Sequence, residues 1–198
     1  MATATLRIGP ADFGRALTLV EFLDAEVEPG YRYELARGVL EVTEVPNDPH
    51  GVIVCLFYDA LAAYRRLHPN AIYRYGGAGE FRLVLPAMLS GRNPDVAVVL
   101  QGTPKGPRGR RPASFAIEVV SEGVEARERD YVTKRQEYLA YGLVEYWIVD
   151  PELRRITLLT RDGDAWVDRV AEGEGIAEGF ALPGFAIPLA ELWGEADE

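Results

Sequence analysis

The stretch Phe115-Ala116-Ile117-Glu118-Val119-Val120, followed by a helical pattern from about Val124 to Tyr141 and a second apolar run from Val144 to Val149, decides the fold. A near-continuous apolar run of this length suits a strand buried on both faces of a sheet. The helical segment ends at Gly142 and feeds the next strand, so the order strand-helix-strand implies a crossover between strands of one sheet. A similar run, Asp95 to Leu100, lies just upstream. The expected class is α/β, with a central mixed β-sheet flanked by helices.

Working outward, Arg15 to Ala25 carries a short helical pattern that Pro29-Gly30 terminates. Tyr31 to Val45 reads as an N-terminal hairpin around Ala36-Arg37-Gly38. From Pro49 to His68 apolar residues recur at helical spacing until Pro69. Ile72 to Tyr75 and Phe81 to Leu85 are strand candidates, joined by a turn at Gly76-Gly77-Ala78-Gly79. Gln101 to Pro112, rich in Gly and Pro and bearing Lys105, Arg108, Arg110 and Arg111, reads as a mobile basic loop. Beyond Pro151, Arg154 to Thr160 and Ala165 to Val170 read as C-terminal strands, with a tail helix near Leu189 to Trp193. One domain over 1–198 is expected: a helical segment 1–30, a core 31–150, and the C-terminal strands and short helix 151–198.

The chain has 198 residues, 48% apolar, which suffices for one buried core. Its 31 acidic and 21 basic residues give a formal charge of −10, which argues against a polybasic DNA coat. A single cysteine, Cys55, excludes a disulfide framework and a cysteine-rich zinc site. No secretory leader pattern opens the chain and no apolar run approaches the roughly 20 residues needed to span a bilayer, so a cytoplasmic setting without membrane contact is expected. Only Lys105 and Lys134 are lysines, so a lysine is the exception in a chain that otherwise writes arginine.

Three residues sit where packing alone would not put them. Glu118 interrupts an apolar run, and a lone buried carboxylate there is costly without a partner. Asp95 follows Pro94 at a strand mouth, where it serves either as a strand-end cap or as a group reaching a cleft. Carboxylates on neighbouring strands suit a hard cation such as Mg²⁺ or Mn²⁺, which can activate water and offset charge on a scissile phosphate. Lys134 shares a helical stripe with Tyr131, Tyr138 and Tyr141 and should face the sheet. It is either a compact ammonium beside such a site or the i+4 ion-pair partner of Asp130.

Asn93-Pro94-Asp95, Glu118-Val119-Val120 and Lys134 together resemble the PD-(D/E)XK nuclease superfamily, and most closely its Uma-two branch of restriction endonuclease-like proteins. The likeness extends from Tyr33-Glu34-Leu35 and Gly38 to Glu145-Tyr146-Trp147-Ile148-Val149-Asp150-Pro151. It implies a restriction endonuclease-like core, with Asp95 and Glu118 binding Mg²⁺ (or Mn²⁺), Lys134 orienting or activating the attacking water, and Glu34 as a further acid of the site. The superfamily's usual lysine, two residues past the acid, is replaced by Val120, and Lys134 on the following helix stands in for it.

His50 is a possible phosphate contact or auxiliary acid/base, or else a capping residue at a helix start. Arg127, Arg129 and Gln136 are possible substrate contacts, or else members of a solvated face. DNA is the implied partner, with the basic loop and the arginines after Glu118 lining one cleft. A homodimer is implied because cutting a duplex takes two centres. The competing reading is a catalytically inactive binding or assembly module of the same fold. A Gly-x-Ser-x-Gly elbow, a His-Glu-x-x-His helix, a Walker lysine and a Gly-x-Gly-x-x-Gly turn are all absent, which leaves the corresponding hydrolase, zincin, NTPase and dinucleotide readings without their chemistry.

Overall fold

The structure is a computed structural model that describes residues 5–45, 48–106 and 109–197. Its chain opens with a short parallel pair, β1 (Arg7–Ile8) and β2 (Glu26–Val27), with helix α1 (Leu19–Asp24) between them. The hairpin β3 (Tyr31–Ala36) and β4 (Val39–Glu44) turns at Arg37-Gly38, both left-handed at φ 50° and 83°, the backbone that a two-residue hairpin loop demands. Helix α2 (Asp48–Leu67) leads to β5 (Ile72–Gly76), β6 (Leu83–Leu85), β7 (Ser90–Arg92), β8 (Val96–Leu100) and β9 (Phe115–Val119). The segment after β9 divides into α3 (Val124–Glu128), a π-helical turn (Arg129–Thr133) and α4 (Lys134–Tyr141). Then follow β10 (Glu145–Asp150), β11 (Arg155–Asp162), β12 (Ala165–Glu172), β13 (Ile176–Glu178), β14 (Ala186–Pro188) and α5 (Leu189–Ala196).

The main sheet has the order β12-β11-β10-β9-β8-β5. Only β9 and β10 are parallel, and the α3–α4 segment is their crossover. Alternation then separates two cores. Val96, Val98, Phe115, Ile117, Val119, Trp147 and Val149 pack with Ile53, Phe57 and Leu61 of α2 and with α5. Ala97, Val99, Ala116, Tyr146 and Ile148 turn to the other face, against Tyr138 of α4. Burial on both faces is why β8 and β9 read as apolar runs. Each such side chain contributes about 1.5–3 kcal/mol, and Ile117→Ala would cost about 2–5 kcal/mol.

A second, antiparallel sheet has the order β4-β3-β7-β6. Tyr33 and Leu35 of β3 pack with Ile8, Leu17, Phe22 and Leu40. The alternate residues, Arg32 and Glu34, therefore face the opposite way.

Several expectations change in detail. The first helix starts at Leu19 rather than Arg15, because Thr18 and Glu21 form a capping box and Ala16 bridges to Val39 instead. The expected helix from Val124 to Tyr141 is interrupted by the π turn, a local widening that hydrophobic period does not report. β7, of sequence Ser-Gly-Arg, and the short β13 and β14 were not expected, since none carries an apolar alternation long enough to read. Gly91 of β7 is required by packing, as a Cβ there would lie 2.8 Å from the Phe22 ring. Arg108 of the basic loop lies outside the described residues. Arg111 of the same loop stacks over the Tyr73 ring, 4.9 Å from its centroid.

Candidate active site

Asp95 sits one residue before β8. The antiparallel register pairs Val96 with Ile117, so one step further along the ladder Asp95 lies across from Glu118. The Val119 N–H donates to Asp95 Oδ2 at 2.9 Å, and His50 Nε2, from the first turn of α2, lies 3.1 Å from the same oxygen. Arg32 Nη1 of β3 donates to the other oxygen, Oδ1, at 2.5 Å. The Tyr58 hydroxyl donates to the Asp95 carbonyl at 3.1 Å. Gly77 backs this residue closely: a Cβ there would meet the Tyr58 hydroxyl and lie 2.8 Å from the Asp95 carbonyl oxygen. The glycine-rich turn thus has a packing role behind the site.

Glu118 projects from β9 toward α4. Its Oε2 lies 2.9 Å from Lys134 Nζ, and its Oε1 accepts from the Tyr138 hydroxyl one helical turn further on. Lys134 also reaches Asp130 at 3.2 Å and Glu34 at 3.8 Å. Lys134 thus makes the i+4 pair with Asp130 and reaches the strand carboxylate Glu118 with the same ammonium.

Glu34 is held from behind. The Asn93 N–H donates to its Oε1 at 2.6 Å, and Arg92 Nη1 lies 3.1 Å from its Oε2. Glu34 stands directly opposite Glu41 in the hairpin, a like-charge pairing that is destabilising by itself. Arg92, fully buried, offsets it by bonding both and by donating from Nε to Glu137 of α4 at 2.6 Å.

The electrostatics follow from this crowding. Burial and the Asp95, Asp130 and Glu34 carboxylates push Glu118 up to about 8, with Lys134 pulling the other way. Burial also opposes the charge on Asp95. The His50 hydrogen bond and the His50, Arg32 and Lys134 charges outweigh it and hold that carboxyl well below the usual range. Burial would lower Lys134, yet Asp130, Glu118 and Glu34 overcome it and keep the ammonium firmly protonated.

Glu34, His50, Asp95, Glu118, Arg129 and Lys134 thus line one small cavity of about 40 Å³. His50 is buried against Asp95 rather than exposed as a cap. Arg127 and Gln136 are elsewhere. Arg127 turns to Asp150 and Glu152 in a neighbouring cleft, at 3.2 and 2.8 Å, and Gln136 accepts from Arg37 at the surface, 2.7 Å away. Lys105, Arg110 and Arg111 do not line the cavity either, and Arg135 is paired with Asp168. The expected basic cleft is therefore not assembled from these groups among the described residues. Sequence reasoning passed over Arg32 and Arg92, and it placed Asp130 only as the i+4 partner of Lys134 and Tyr138 only on the same helical stripe. The one local hint was Arg92, standing just before Asn93-Pro94-Asp95.

Among the described residues no group of three His, Cys, Asp or Glu side chains is arranged to hold a metal ion. The donor chemistry nevertheless fits one hard cation. Glu34, Glu41, Asp95, Glu118, Asp130 and Glu137 are linked with only four permanent cations, Arg32, Arg92, Arg129 and Lys134. The carboxylates around this cavity therefore outnumber its permanent cations. A Mg²⁺-like ion that takes two carboxylates and water would offset the excess.

The mixed-sheet fold is shared with a solved structure. The structure superposes at a TM-score of 0.68 on a protein from Anabaena variabilis ATCC 29413 described as "a putative nuclease belonging to DUF820", with 17% identity, covering 91% of this chain and 99% of that one. The chain belongs to the Uma2 family, described as "Putative restriction endonuclease", whose family profile matches residues 19–190. The resemblance drawn from the sequence is thereby met at the level of family and fold. No curated protein shows significant similarity to it. Among the described residues no helix is long and apolar enough to cross a membrane.

Proposed function

We infer that the protein is a divalent-metal-dependent endonuclease of the PD-(D/E)XK type that hydrolyses DNA phosphodiester bonds. Asp95 and Glu118 would hold Mg²⁺ or Mn²⁺, and Lys134 would orient the attacking water. The observation that carries this reading is the 2.9 Å contact of Lys134 Nζ with Glu118 Oε2, inside the cavity that Asp95 also lines. It answers the absence of a lysine at position 120, because the amine supplied from α4 reaches the same carboxylate.

When bound, the ion supplies Lewis-acid polarisation of the phosphate and a more acidic water. The chain's own groups do the rest. Lys134 keeps its proton at Nζ, so it acts as a hydrogen-bond donor and as a positive charge near the scissile phosphate, not as the base. Tyr138 fixes the Glu118 carboxylate, and His50 with the Val119 N–H fixes Asp95. Glu34, anchored by the Asn93 N–H and Arg92, holds the far side of the Lys134 ammonium. Cutting both strands of a duplex requires two such centres, so a homodimer belongs to this reading.

The second reading, a non-catalytic module, is favoured by one observation: both Asp95 oxygens already have protein partners. One experiment separates the two. Supercoiled plasmid and single-stranded DNA are incubated with the protein over a Mg²⁺ and Mn²⁺ series, beside Glu118→Ala and Lys134→Ala. Metal-dependent nicking lost in both variants supports the endonuclease. Cleavage that survives Glu118→Ala refutes the assignment, and no cleavage of any substrate favours the module.

A further inference from the structure

We propose that Arg32 has two alternative anionic partners: the Asp95 carboxylate in the protein alone, and a non-bridging phosphate oxygen of the substrate once a divalent ion occupies Asp95. This rests on the metal-dependent reading above and deepens it by assigning a substrate-contacting residue.

The two oxygens of Asp95 are not equivalent. Oδ2 is committed to the Val119 N–H at 2.9 Å and to His50 Nε2 at 3.1 Å, both within the buried interior. Oδ1 bonds only Arg32 among the described residues, at 2.5 Å. An ion entering the cavity therefore has Oδ1 as its approach to Asp95. A hard dication at bonding distance and a guanidinium on the same oxygen repel each other strongly at such a separation. Arg32 and the ion compete for one site.

Arg32 is also the partner able to leave. Its side chain is 32% exposed, whereas that of Asp95 is 2% exposed. Its strand cannot follow, because Tyr33 and Leu35 are core residues and Glu34 is held by Arg92 and the Asn93 N–H. The guanidinium must then swing about its own side-chain bonds toward the mouth, which Thr43 and Ser121 border. There its paired N–H groups match the oxygens of a phosphate. Of the other permanent cations lining this cavity, Lys134 is held by Glu118 and Asp130, and Arg129 lies 3.6 Å from Asp130 with a less exposed side chain than that of Arg32, 20% against 32%.

The test is calorimetric titration of Mn²⁺ alone into the full chain, comparing wild type, Arg32→Ala, Arg32→Lys and Glu118→Ala. Removing the competing charge-assisted bond should tighten Mn²⁺ binding about tenfold or more in Arg32→Ala, with Arg32→Lys between. The same Arg32→Ala variant, at saturating Mn²⁺, should show a KM for DNA raised about tenfold. Mn²⁺ affinity lost in Glu118→Ala but unchanged in Arg32→Ala overturns the role of Arg32 and leaves the metal site standing. Equal Mn²⁺ affinity in wild type and Glu118→Ala overturns both. Should Arg32→Ala not fold, Mg²⁺ is titrated into wild-type protein labelled with ¹⁵N-arginine. The Arg32 Nε–H resonance should shift in step with binding, and an unmoved resonance overturns the proposal.

Discussion

Replacing Glu118 by glutamine should stabilise the metal-free protein while removing its chemistry. The carboxyl is raised from 4.5 to about 8 by burial and three neighbouring carboxylates. The folded state thus holds this proton more tightly than the unfolded chain does, and the Glu118 contribution to stability declines as pH rises from about 4.5 to about 8 and is level outside that window. At pH 7 the interval is about 2.5 pH units, or about 3 kcal/mol at 1.36 kcal/mol per unit, and above pH 8 it approaches about 5 kcal/mol. Glutamine has the same shape and needs no proton, so it escapes this cost. For a domain of this size, 3 kcal/mol corresponds to a rise in Tm of roughly 6–12 °C. Chemical denaturation of wild type and Glu118→Gln in a chelator at pH 5, 7 and 9 measures the difference, which should be small at pH 5 and grow with pH. Added Mn²⁺ should stabilise the wild type alone. A difference independent of pH, or a variant less stable at pH 9, would refute the reasoning and make Glu118 a net-favourable partner of Lys134.

Lys134→Met should abolish cleavage and lower stability by about 3 kcal/mol, since it takes the ammonium from the buried Asp130 and the partly buried Glu34 carboxylates and leaves Asp130 only the 3.6 Å pair with Arg129; urea unfolding beside a nicking assay checks both. Apparent Mn²⁺ affinity should rise about tenfold per pH unit up to about 8 and then level off, because the ion must displace the Glu118 proton. A calorimetric pH series tests this, and a flat profile from pH 6 to 9 contradicts it. Gly77→Ala should push the Asp95 carbonyl and the Tyr58 hydroxyl apart and weaken Mn²⁺ binding. The comparison is with Gly79→Ala, where nothing lies within 4 Å of the added Cβ.

Glu118 was legible because a carboxylate inside an apolar strand demands a partner, and Lys134 because a lysine is rare in this chain. The partners themselves were not legible. Arg32 lies 63 residues from Asp95, Arg92 45 from Glu137 and Tyr138 20 from Glu118, distances over which local pattern carries no pairing information. The helix expected from Arg15 begins at Leu19, because the Thr18–Glu21 capping box, which apolar spacing does not report, sets its start. Arg127 and Gln136 share a helical segment with Lys134, but helix position alone does not say that the first meets Asp150 and the second Arg37. Charge totals were similarly blind: the −10 describes the whole surface, while the cavity depends on how six carboxylates and four cations interlock.

The bolt that Arg92 forms through Glu34, Glu41 and Glu137 ties the hairpin and α4 to β7. Three separate pieces of chain, the hairpin, β7 and α4, are thereby fastened around one buried guanidinium, so loss of Arg92 would loosen the wall of the cavity without touching Asp95 or Glu118 directly.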